Sequence, residues 1–283
     1  MTISAKAAEG DQILNIFNVR RAVIGVIHCP AFPGTPRHDG RPVDALYEAA
    51  RRDAHAYAEG GVDGLIVENH GDIPFLRPSD IGPETVAYMT AATRHVIAET
   101  GLPTGVNLLA NAPIPALAVA AASGARFIRV NQWANAYVAN EGLLDGDAAR
   151  ALRFRKQIAA EGVAVFADSH VKHGAHAITA DRSIEELTRD LEFFDADVVI
   201  ATGQRTGDAV TDAELDTVAG ATSLPVIVGS GVTEDNAERI LSRARGTIIG
   251  SSLKEGGVWW NPVDPARVRA FMGRVAALRE GDG

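Results

Sequence analysis

The chain has 283 residues, with 36 acidic side chains against 27 basic ones and a formal charge of −9. That acidity excludes nucleic acid and anionic lipid as main partners, because both demand a basic surface. A hydrophobic fraction of 46% supports a sizeable core, and the single cysteine, Cys29, rules out an internal disulfide and suits a reducing cytoplasm. No apolar run reaches the roughly 18 residues of a membrane span. The stretch Met1–Asp11 is polar and has no apolar segment of the secretory kind.

Residues 1–20 read as a short N-terminal extension, with Gln12–Val19 forming a helix over the bottom of the fold. Eight β-branched runs follow: Val23–His28, Gly64–Glu68, Thr104–Leu109, Phe127–Asn131, Val163–Asp168, Val198–Thr202, Pro225–Gly229 and Thr247–Gly250. Several are continuously apolar, as expected of parallel strands buried on both faces. The segments between them carry helical spacing. Pro83 opens one stripe of Val86, Met89, Thr93 and Ile97, stopped at Gly101; Asp264–Pro265 opens another of Val268, Phe271, Met272 and Val275. Strand then helix, eight times without a linker, predicts an α/β fold of one kind: a single (β/α)₈ TIM barrel over residues 1–283.

In such a barrel the loops after the strand C-termini carry function. Five of the eight histidines (28, 70, 170, 173 and 176) and two of the four lysines (Lys172 and Lys254) fall there. VGSGVT (228–233) and IGSSLK (249–254) end the seventh and eighth strands, where barrels frequently bind phosphate. Glycine lets backbone amides approach an anion, and helix N-termini add positive charge. Gly203, Gly229, Ser230, Gly231, Gly250 and Ser251 are therefore expected to bind phosphate. Asn107, Asn131 and His28 are expected around the rest of the substrate. The same glycines also suit plain tight turns, and Glu234 and Asp235 at the start of the seventh helix would repel an anion that they faced.

ADSHVKH (167–173) supplies a possible base, Asp168, with His170 or His173 as acid and Lys172 to bind substrate oxygen or stabilise an enediolate. VENHGDIPF (67–75) puts Glu68 at a strand end as the alternative base. No cofactor is called for and no HxxxH or CxxC-type spacing is present; a divalent metal, if bound, would take Glu68, His70, Asp72 and Asp168. The loop Pro30–Arg41 is long for its position and is read as a lid carrying Arg37 and His38. Trp259 and Trp260 either wall a pocket or form a contact between copies in a homo-oligomer.

The stretches IGVIHCPAFPGTPRH, GGVDGLIVENHGDIPF, PTGVNLLAN, ARFIRVN, LRFRKQI, VKH, ATGQRTG, PVIVGSGVTEDN and IIGSSLK, in this order, resemble the BtpA/SgcQ family over nearly the whole chain. The resemblance implies a ribulose-phosphate-binding type of barrel. One branch of that family is named for photosystem I accumulation, and another looks like part of sugar-uptake and sugar-utilisation operons. The resemblance carries over no catalytic residue. Three departures from the family pattern lie at the expected mouth: Asn111–Ala112, Ala139–Asn140–Glu141 and His176–Ala177–Ile178.

Taken together, the sequence points to a cytoplasmic enzyme acting on a phosphorylated sugar or related small phosphate ester, as an isomerase, epimerase or lyase that abstracts a proton. Two other readings stand beside it: a non-catalytic assembly factor for a membrane protein complex, and a nucleosidase-like sugar-handling enzyme.

Overall fold

A computed structural model describes residues 10–171, 174–203 and 209–280. The eight predicted strands are present as β1 (Ala22–His28), β2 (Gly64–Glu68), β3 (Thr104–Asn107), β4 (Phe127–Val130), β7 (Ala164–Asp168), β8 (Val198–Thr202), β9 (Val226–Gly229) and β10 (Gly246–Ile249). Each pairs in parallel with its neighbours, and the order β1-β10-β9-β8-β7-β4-β3-β2 closes into a barrel. The expected barrel is the observed one. Between β4 and β7 stands an antiparallel hairpin, β5 (Ala136–Ala139) and β6 (Gly142–Asp145), that the sequence reading did not contain.

Side chains on a strand alternate between its faces, so each strand feeds two cores. Val23 and Ile27 of β1 face the helices, as do Val67, Ile128, Ala167 and Val199. Ile24, Val26, Ile66, Phe127, Phe166, Ile200, Ile227 and Ile248 fill the barrel interior. Phe127 and Phe166 stack there at 4.4 Å. Gly105 makes room for them, since a Cβ on it would stand 2.2 Å from the Phe127 ring.

The outer layer is α2 (Val43–Glu59), α3 (Pro83–Thr100), α4 (Pro113–Ser123), α5 (Ala148–Gln157), α6 (Ile184–Phe193), α7 (Asp212–Ala221), α8 (Ala237–Leu241) and α9 (Pro265–Glu280). On α9 the predicted stripe of Val268, Phe271, Met272 and Val275 is buried; on α3 Met89 and Thr93 are buried with Ala92 and Val96, while the expected Val86 and Ile97 are half-buried. Asp264 caps α9 by accepting from the Ala266 and Arg267 amides. The first helix, α1 (Gln12–Phe17), is capped by Asp11 and plugs the barrel bottom, with Phe17 edge-on to Phe127 at 5.8 Å.

Lys254 was expected near the mouth but lies 1% exposed in the helical layer, 3.0 Å from Asp53 of α2. Asp53 also accepts from the Val263 amide, so it anchors both ends of the segment after β10. Breaking a buried ion pair strands its partner charge. Lys254→Met should therefore cost about 3 kcal/mol in urea denaturation; a loss under about 1 kcal/mol would show that Asp53 is satisfied without it.

Candidate active site

The interior alternation does not stop at the apolar layer. One pleat higher, the inward positions become His28 above Val26, Glu68 above Ile66, Asn107 above Gly105, Arg129 above Phe127, and Asp168 above Phe166. The same step on the remaining strands gives Thr202, Gly229 and Gly250. A polar layer thus caps the apolar one at the C-terminal ends of the strands, and a cavity of about 510 Å³ opens above it.

Arg129 is the centre of this layer and was missed by the sequence reading. It is 7% exposed. Its Nε and one terminal nitrogen donate to the two oxygens of Asp168 at 3.1 and 3.0 Å, a bidentate pair. Its other terminal nitrogen stands 3.5 Å from Glu68 Oε1. Burial works against the guanidinium charge, but the carboxylates of Asp168 and Glu68 outweigh it and hold the pKa above its ordinary value. Asn131 adds a third hydrogen bond to Asp168 at 3.0 Å. Asp168 is 4% exposed and is not among the residues lining the cavity. It sits behind Arg129 and holds it; the side chains facing the cavity are Arg129, Asn131 and Glu68.

Glu68 divides its two oxygens. Oε1 receives Asn107 Nδ2 at 3.3 Å and the Arg129 contact. Oε2 faces His28 Nε2 and His70 Nδ1, each at 3.9 Å. His28 is fixed by Nδ1, 3.0 Å from the Trp259 carbonyl oxygen. Trp259 packs edge-on to both imidazoles, with centroids at 5.6 Å from His28 and 4.4 Å from His70, and Phe75 backs His70. Trp259 therefore walls the pocket, whereas Trp260 is 68% exposed. The side-chain oxygens of Asn107 and Asn131, both on the cavity, accept no hydrogen bond among the described residues.

The facing wall is the pair of loops after β9 and β10, with Ser230, Gly231, Val232, Thr233, Gly250, Ser251 and Ser252 on the cavity. Ser230 and Gly231 both have positive φ, 80° and 71°, which turns the chain over the mouth. The Ser230 amide is used, bonding Ile248 O. The amides of Gly231, Val232, Ser251 and Ser252 have no protein acceptor among the described residues. Ser252 Oγ ties the two loops by donating to Val232 O at 2.7 Å, and Asn236 closes the first by bonding Gly231 O and the Thr233 amide.

Two expectations about this wall change. Helix α8 has five residues and begins at Ala237, so it brings no helix dipole to the mouth. Glu234, which would repel an anion if it faced one, is exposed and paired with Arg274 at 3.2 Å. Gly229 serves packing, since a Cβ there would stand 2.7 Å from Ile200 Cγ2; a Cβ on Gly250 would enter the site 3.2 Å from His28 Cε1.

Other expected residues lie elsewhere. Asp72 accepts from the Phe32 amide and Thr35 Oγ1 and from Asn69 Nδ2, so it pins the loop that follows β1. No residue of Pro30–Arg41, the expected lid, lines the cavity; Asp72 and the stacking of Phe32 on Tyr88 hold that loop against the helical layer. Burial raises the Asp72 pKa despite those hydrogen bonds. The His170 ring packs at a tilt against His176, centroids 3.9 Å apart, in a separate hollow with Thr202, Arg182 and Glu214, and burial lowers its pKa. Gly203 is buried beyond β8 and does not line the cavity. Lys172 and His173, like Thr206 and Gly207, lie outside the described residues. Of the expected metal ligands, Glu68 and His70 come together; Asp72 and Asp168 are bound to their own partners.

The fold is a closed (β/α)₈ barrel with a polar mouth. The thiamine phosphate pyrophosphorylase of Pyrococcus furiosus superposes with a TM-score of 0.55 at 14% identity, covering 92% of this chain and 97% of its own. The N-(5'-phosphoribosyl)anthranilate isomerase of the same organism gives 0.53 at 16%, covering 91% and 99%. At such identities the likeness is one of fold. The sequence model of the BtpA family matches residues 19–277, and the chain belongs to that family. An uncharacterised mitochondrial protein of Caenorhabditis elegans is 40% identical over 92% of this chain and 95% of its own. The photosystem I biogenesis protein BtpA of Synechocystis is 37% identical over 95% and 92%.

Proposed function

We propose that this chain is an enzyme acting on a phosphorylated sugar or a related small phosphate ester, by isomerisation, epimerisation or lyase chemistry. The observation that carries the reading is the two-sided cavity: four amides without protein acceptors on one wall, and the His28–Glu68–His70 group beside Arg129 on the other. Backbone N–H groups gathered in a concavity suit an oxyanion. A phosphate held there directs the rest of a small ester toward imidazoles and a carboxylate able to move a proton. Solved barrels of this architecture carry names that include phosphate-bearing substrates, which agrees with the reading.

The test is thermal denaturation in the presence of inorganic phosphate and a panel of sugar phosphates. A ligand at 100 times its dissociation constant should stabilise the fold by about 2.7 kcal/mol. Gly250→Val, which places side-chain atoms in the site, should abolish that shift. A panel in which no phosphate ester moves the melting temperature sinks the proposal.

A second reading, assembly of a membrane protein complex, draws support from the name of the Synechocystis relative and from the rim. Val138 and Leu143, cross-strand partners on the hairpin, are 45% and 54% exposed, and Ile178 is 57% exposed. No helix among the described residues is long and apolar enough to cross a membrane. Replacing Val138 and Leu143 by Ser would impair a docking role and spare an enzymatic one.

A further inference from the structure

We propose that His28, Glu68 and His70 bind one divalent transition-metal ion at the barrel mouth. The inference deepens the proposed function, since it concerns the same cavity, but its observations and its test are separate.

One ligand atom from each residue lies within 4.8 Å of the others, with Glu68 Oε2 at 3.9 Å from both His28 Nε2 and His70 Nδ1. The carbonyl oxygen of Trp259 can only accept, so His28 Nδ1 carries a proton, and in the neutral imidazole Nε2 then presents its lone pair toward Glu68. That is the outer-shell arrangement of metal-binding histidines, in which the far nitrogen donates to a carbonyl and fixes ring and tautomer. Glu68 is supported in the same way: Asn107 and Arg129 engage Oε1 and leave Oε2 directed at the imidazoles.

Charge points in the same direction. The buried layer holds two carboxylates, Glu68 and Asp168, against one guanidinium, Arg129. With neutral imidazoles the described layer has a net charge of −1, which repels a phosphate ester and is costly to bury. A divalent cation reverses that sign. The unaccepting side-chain oxygen of Asn107, 2% exposed and on the cavity, lies in the same layer and offers a bound water a partner.

Two imidazoles and one carboxylate favour zinc, iron or manganese over magnesium or calcium, which prefer all-oxygen sites. Bonds of about 2.0–2.1 Å in a tetrahedral site bring ligand atoms to about 3.3 Å of one another. The imidazole–carboxylate gaps must therefore close by roughly half an ångström and the imidazole–imidazole gap, within 4.8 Å, by up to about 1.5 Å, a movement that falls to the partly exposed His70 side chain. Three protein ligands leave coordination positions open to the cavity, where the ion would act as a Lewis acid on a substrate oxygen.

The experiment is calorimetric titration of chelator-treated protein with Zn²⁺ and with Mn²⁺, followed by Co²⁺ loading read by visible absorption. Wild type should take one ion per chain. His28→Gln, Glu68→Gln and His70→Ala should each weaken binding at least about tenfold and alter the Co²⁺ spectrum, with circular dichroism confirming the fold. His170→Ala, in the neighbouring hollow, should bind as wild type does. Absence of binding by every ion, or binding unchanged in all three ligand variants, overturns the proposal. A phosphate-induced melting shift that persists without metal binding would overturn the metal site alone; metal binding without any phosphate shift would overturn the phosphate-ester reading alone.

Discussion

Arg129→Met should destabilise the barrel by about 3–5 kcal/mol, because it leaves two buried carboxylates facing each other without their shared cation. Asp168 would lose both of its guanidinium hydrogen bonds and keep only Asn131, and Glu68 would keep Asn107. The loss is electrostatic, since methionine replaces most of the arginine stem. The triple variant Arg129→Met, Glu68→Gln, Asp168→Asn removes all three charges and should recover most of the loss. Urea denaturation of wild type, the single variant and the triple variant decides the matter. A single variant that costs under about 1 kcal/mol, or a triple variant no better than the single one, would mean that water already satisfies these carboxylates.

Glu68→Gln should lower turnover of the cognate phosphate ester by about 10²–10⁴, the range for losing a proton-transfer group or its equivalent. The substitution keeps the volume and an oxygen for Asn107, so the fold and the phosphate-induced melting shift should survive. The assay uses whichever ester stabilises the protein, with turnover and melting measured on the same preparation. Retained turnover in Glu68→Gln would remove this residue from the chemistry. The same result with Asp168→Asn would be unsurprising in mechanism, because Asp168 acts through Arg129.

The fold was legible because its signal is redundant. Each of eight buried strands repeats the same apolar pattern, and caps such as Asp264 and stops such as Gly101 punctuate the helices. The hairpin β5–β6 was not, since AYVA and GLLD are too short and too exposed to stand out from a loop. Of the strand-end residues, His28, Glu68 and Asn107 line the cavity. Asp168 does not, because Arg129 stands in front of it, and a sequence does not say which carboxylate has an arginine before it. The missed signal was Arg129 itself, a charge inside the apolar run FIRV on the inward phase of Phe127. Asp72 misled for a related reason: local loop hydrogen bonds satisfy it before any ligand could.

The hairpin has an architectural consequence. Its tip, Ala139–Asn140–Glu141, lies on the cavity, while β5 and β6 stand outside the barrel ladder and are held to the rest of the mouth by the Val138–Ala175 bridge and by Asn111 Nδ2, which donates to Asp145 O. Side-chain changes at that tip leave the hydrogen bonds of the eight-stranded ladder intact. The hairpin thus borders the cavity without belonging to the barrel wall, so its tip can reshape the opening while the polar floor beneath stays in place.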